Sequence, residues 1–155
     1  MPRRPSVGPR GSYRRRVDER VMRARLAAAR VARLATVSPE GVPHLVPVCF
    51  ALAGDVVFTA VDAKPKRSVT LRRVTNIAAT GRAALLVDEY TEDWRGLWWV
   101  RIDAAARIVE AEETRRRALD ALTDKYPQYE SSSPPGPVIE LFSLNWLAWA
   151  AGDVD

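Results

Sequence analysis

The stretch VPHLVPVCFALA, residues 42–53, most narrows the folds open to this chain. Read as one strand, it puts Val42, Val46, Val48, Phe50 and Leu52 on one side and Leu45, Cys49 and Ala51 on the other. A strand that is apolar on both faces has to be covered twice, as in a small barrel whose outside is packed by a helix, a ligand or another subunit. Pro43 and Pro47 carry no N–H, so this strand belongs at an edge or a bulge where the barrel opens.

The flanking pattern agrees. Upstream, VDERVMRARLAAAR spaces Val17, Val21, Met22, Leu26 and Ala29 by three and four residues on a helix-forming background, which predicts an amphipathic helix. VARLATV then reads as a strand, and Ser38–Gly41 (SPEG) as a type I turn into residues 42–53. The tripeptide AGD turns the chain into the strand VVFTAV. The basic run beginning DAKPKR opens a predicted helix in which Leu71, Val74, Ile77 and Ala78 share a face, ended by Gly81. AALLVDEY and GLWWVRIDAAARIVEA read as long strands around a loop TEDWR. ETRRRALDALTDKY reads as a helix with Ala118, Leu119, Leu122 and Tyr126 facing in, QYESSSPPGP as a loop, and VIELFSLNWLAWA as a closing strand. Six strands joined mostly by short turns predict a mainly β fold, an antiparallel barrel with flanking helices outside it.

The formal charge of +5 raises the question of nucleic acid. Its location answers much of it: residues 1–16 hold six of the 24 basic residues and no acid, leaving 18 against 19 in the remainder. That Pro-, Gly- and Ser-rich tail reads as a disordered basic arm ahead of a single domain at 17–155, with weak contact to nucleic acid or acidic surfaces through its arginines as the alternative role. No apolar run approaches the roughly 18 residues of a membrane span, so the expected place is the cytoplasm, without a membrane partner. With one cysteine and one histidine, no disulfide and no cysteine-rich metal site is expected.

Side-chain catalysis has little to build on. His44 and Cys49 lie in a strand without a nominated partner and read as strand residues rather than as base and nucleophile. Neither a GxGxxG run nor a P-loop is present. The five tryptophans say more: Trp98 and Trp99 are adjacent in a strand and must point to opposite faces, so a core, a second subunit or a flat bound ring has to cover both. Lys64, Lys66 and Arg67 crowd a predicted helix start, where their sign is wrong for the helix dipole. Either water screens them or an anion sits among them.

The strings VPVCFAL, VVFTAVDAKPKRSVTLRRVTNIAA and ALLVDEYTEDWRGLWWVRIDAAARIVE, with the terminal tryptophans, resemble the pyridoxamine 5'-phosphate oxidase-like superfamily of split β-barrels. Within it, the KPKR, LRR and EDW…LWWVR elements are similar to the class of F420-dependent oxidoreductases. The resemblance spans residues 17–150 and implies a homodimer with two flavin or deazaflavin sites in grooves between subunits. It implies that the ring lies along Pro47, Val48, Cys49 and Phe50, and that the phosphate tail meets Thr59, Lys64, Lys66 and Arg67. Tyr90, Trp98, Trp99 and Arg101 are then expected to shape the side of a small conjugated substrate, which exchanges a hydride with coenzyme F420. FMN is the alternative cofactor, and a non-catalytic carrier the alternative role. One departure is RIDAAARI, where a glycine is expected near Ala104 to bend the strand.

Overall fold

A computed structural model describes residues 17–62 and 71–152. The predicted tail and Lys64, Lys66 and Arg67 lie outside the described residues. Helix α1 (Glu19–Ala28) is capped by Asp18, whose carboxylate accepts the Arg20 N–H at 2.8 Å, and it buries Leu26. Strands β1 (Ala32–Val37) and β2 (Pro43–Val48) form the expected hairpin, with Gly41 at φ +83° donating to Ser38 O at 2.9 Å. Strands β3 (Ala51–Ala53) and β4 (Val56–Ala60) make a second hairpin. Helix α2 (Arg72–Thr80) and β5 (Arg82–Glu89) follow, then a single 3-10 turn at Trp94–Gly96 and β6 (Trp98–Ile108). Helix α3 (Glu112–Lys125), the short α4 (Gln128–Ser131) and β7 (Val138–Ala150) complete the fold.

Seven strands form one antiparallel sheet in the order β2-β1-β5-β6-β7-β4-β3, one strand more than the six expected. The extra strand comes from residues 42–53. They do not run as one strand but break at Cys49–Phe50 into β2 and β3, which sit at opposite edges of the sheet. A two-residue step between the two edges forces the sheet to curl until they meet, which makes a split barrel. The core inside it is built from Leu34, Phe50, Val57, Leu85, Ile102 and Leu141, all fully buried. Helix α3 covers β3 and β4 from outside through Ala118 and Leu122, joined by Tyr126 just past its end.

Four further expectations need correction. Helix α2 begins at Arg72, five positions beyond Arg67, so the basic run does not form its first turn. Its buried face is turned toward Asn76, which donates to Thr36 Oγ1 at 3.1 Å, and Ala78 is exposed. The loop after α3 contains the helical turn α4, where Tyr129 N–H returns to Tyr126 O. The bend sought at Ala104 exists, but its extra residue is on the facing strand. Asp103 pairs with Asn145 and Ala105 with Phe142, so Ser143 and Leu144 together oppose Ala104, and Ser143 takes φ +51°.

Candidate functional site

Strand β2 is an edge because of its prolines. Pro43 and Pro47 face Val37 and Arg33 in the β1 ladder, and neither can donate across it, so the bonds to β1 run through the alternate residues His44, Val46 and Val48. The carbonyls of Pro43, Leu45 and Pro47 and the N–H of Leu45 therefore face away from the sheet. Side chains follow the same alternation. Val46 and Val48 point into the barrel, whereas Leu45 is 66 % exposed and Pro47 is exposed beside it.

The step from β2 to β3 is held from behind. The Tyr126 hydroxyl accepts the Phe50 N–H at 3.0 Å and shares its proton between the carbonyls of Arg30, at 2.9 Å, and Phe50, at 3.0 Å. The Thr59 hydroxyl, buried on β4, donates to Cys49 O at 2.7 Å. Two side chains distant in sequence thus fix the backbone of Cys49 and Phe50. Of the residues expected to lie along a ring, Pro47 is exposed, Cys49 is half-buried, and Val48 and Phe50 are buried.

Register places a second group on the outer face of the sheet. Pro47, Arg33, Leu86, Arg101 and Leu147 are successive partners across β2, β1, β5, β6 and β7. Pro47 and Arg101 are three strand spacings apart, about 14 Å. In the next row Asp88, Trp99 and Trp149 are neighbours. Arg101 is held flat by a two-pronged pair with Asp103, at 2.9 and 3.1 Å, and Arg33 meets Asp88 at 3.4 Å. Trp99 and Arg101 thus share the outer face. Trp98 lies on the inner one, under the Arg25 guanidinium at 4.7 Å, with its indole N–H on Glu89 at 3.2 Å. Tyr90 stands exposed at the end of β5. A groove of about 790 Å³ on the same face, lined by Ala35, Ala84, Asp103, Ala105 and Asn145, contains none of the expected site residues.

Polar side chains gather behind Cys49, and of these the sequence pattern singled out Tyr126 alone. Lys125, the last residue of α3, has its ammonium nitrogen buried 3.8 Å from the centre of the Phe50 ring, with no hydrogen-bond partner among the described residues. Burial and the nearby Arg30 guanidinium bring its pKa down to about 8, against a weaker opposing pull from Cys49. Tyr129 donates to Asp62 at 2.7 Å, and burial, reinforced by that carboxylate, pushes its phenol up; burial also raises Tyr126. Arg73, half-buried near Asp62, is lowered by desolvation. Only Tyr126 had a legible signal, its inward helical position. Nothing in a pattern of apolar spacing marks a lysine at a helix end.

No group of three metal-ligating side chains occurs among the described residues, and no described helix is long and apolar enough to cross a membrane.

Residues 19–150 match the family model for pyridoxamine 5'-phosphate oxidase. No curated protein sequence matches the chain. Among solved structures, a conserved hypothetical protein of Mycobacterium tuberculosis is similar with a TM-score of 0.72 and 19 % identity, over 87 % of this chain and 86 % of that one. The heme storage protein HutZ of Vibrio cholerae gives 0.67 and 14 %, over 85 % and 93 %. A FAD-binding protein of Mesorhizobium loti gives 0.64 and 18 %, over 85 % and 92 %.

Proposed function

Since this chain belongs to the pyridoxamine 5'-phosphate oxidase family, we propose that it is an F420-dependent oxidoreductase that moves a hydride between the deazaflavin and a small conjugated substrate, working as a homodimer. The observation that carries the reading is the open edge of β2, where the backbone carbonyls of Pro43, Leu45 and Pro47 and the Leu45 N–H face outward beside a step locked by Tyr126 and Thr59. A planar heterocycle whose rim alternates donors and acceptors matches such an edge, so the residues present fit the cofactor.

Bound F420 would supply two-electron hydride chemistry, which accounts for the lack of a catalytic triad. The chain's own residues then bind, orient and exclude water. The edge of β2 reads the rim of the ring, Lys64, Lys66 and Arg67 take the acidic tail, and Thr59 holds the ring-side backbone. Trp99 and Trp149 shut water out of the outer face, while Asp103 keeps the Arg101 guanidinium turned toward an electronegative substrate group. FMN is the alternative. The heme role printed for the Vibrio protein has less support in this chain. Its single histidine, His44, pairs with buried Thr36 and has a buried Nδ1, so it offers no imidazole to the outer face. A titration of F420 against FMN under identical conditions tests the reading. Binding of F420 at least about tenfold tighter is expected, and tighter FMN overturns the choice of cofactor.

The homodimer rests on the uncovered apolar groups of the outer face, Leu45 and Trp149 above all. Leu45→Glu would leave the barrel folded, because that side chain is 66 % exposed and belongs to no core cluster of the described residues. The expected result is a dimer for the parent by light scattering and a monomer for the variant, with cofactor binding lost alongside. A monomeric parent overturns it.

A further inference from the structure

Lys125 is an expensive residue to leave as it stands. A buried ammonium with no acceptor among the described residues costs stability, and a chain that keeps one needs a use for it. Among the described residues no carboxylate pairs with it. The faces of Phe50 and Tyr126 lie 3.8 and 5.4 Å from it, the Arg30 guanidinium nearby repels it, and the carboxylate of Asp62 is taken by Tyr129. It also lies directly behind the Cys49–Phe50 step, the segment that the proposed cofactor site is built on.

We propose that Lys125 is the counter-charge for an anionic or electronegative oxygen of the bound cofactor. This rests on the cofactor reading above and adds to it a residue from α3, some 60 positions beyond the basic run. The oxygen comes either from the ring rim or from the phosphate, and both would meet the same unpartnered ammonium.

Lys125→Met keeps the length and apolar stem of the side chain and removes the charge. Two opposite changes are expected. The free protein melts a few degrees higher, because an unpaired buried charge is gone. Affinity for F420 and FMN falls at least tenfold, while Lys125→Arg stays within about threefold of the parent. Riboflavin, which lacks the phosphate, tells the sources apart: an equal loss with riboflavin assigns the ring rim, and a loss confined to the phosphorylated compounds assigns the phosphate.

The pH profile adds a readout that a structural role would not move. Below about pH 8 the ammonium is charged in both folded and unfolded chains. Between about 8 and 10.5 only the unfolded chain keeps the proton, so the parent gains stability as pH rises through that window, whereas cofactor affinity falls. The groups facing Lys125 are Arg30 from the α1–β1 link, Cys49 from the edge-to-edge step, and Tyr126 beyond α3, against whose ring Tyr129 packs. The two tyrosines, raised in the folded protein, act with the opposite sign only above about pH 10. Lys125→Met is expected to be flat in both respects between pH 8 and 10. Unchanged affinity for all three compounds, or a lower melting temperature in Lys125→Met, overturns the proposal alone. A parent that binds none of the three overturns the cofactor reading and this proposal with it.

Discussion

Replacing Tyr126 with phenylalanine lowers the melting temperature by roughly 5–12 °C. The ring stays, so packing against Leu122 and Ala51 is unchanged, and the loss is that of one oxygen atom. That oxygen accepts the Phe50 N–H and donates to the carbonyls of Phe50 and Arg30, the two bonds to Phe50 buried and the one to Arg30 part-buried. Each polar group left without a partner costs about 1–3 kcal/mol, and a chain of this length loses about 2–4 °C per kcal/mol. Thermal unfolding followed by circular dichroism measures it. A change under 2 °C would mean that the edge-to-edge step holds its shape without the clamp, and that the fixed backbone of Cys49 and Phe50 is not Tyr126's doing.

Neutralising two of Lys64, Lys66 and Arg67 weakens F420 binding at least tenfold. A charge-assisted hydrogen bond contributes about 1.5–3 kcal/mol, so losing two reaches that factor even if one is partly replaced by water. The proposed contacts are electrostatic, so parental binding is expected to weaken as salt rises and the double variant to show a flatter slope. Equal affinity and equal slope would make the run ordinary surface charge. Paired with the Lys125 experiment, the result also separates two sources of positive charge that lie some 60 residues apart in the chain.

What residues 17–150 determined by themselves is local. The SPEG turn closes a hairpin because a glycine at its fourth position accepts the positive φ the turn demands, and Gly81 ends α2 in the left-handed conformation for the same reason. Pro43 and Pro47 announce an edge because a missing N–H is missing in any fold. Period-two and period-3.6 apolar spacing marks β6, β7 and α3.

Tertiary structure decided everything that depends on partners far along the chain. Residues 42–53 carry one unbroken apolar pattern, yet β2 pairs with β1 while β3 pairs with β4, so the break at Cys49–Phe50 comes from closing the sheet and not from any local breaker. Which of Trp98 and Trp99 faces inward is settled by the β5 and β7 registers, since alternation fixes only that they differ. The bend near Ala104 needed an extra residue somewhere in the β6–β7 pair, and the sheet took it from Ser143 across the ladder, which no reading of one strand reveals. The Tyr126–Phe50 clamp joins residues 76 positions apart. In the sequence Lys125 is one more cation; only the folded chain shows its ammonium buried and without an acceptor among the described residues, because burial is a property of the neighbours that packing brings and not of the residue that is buried.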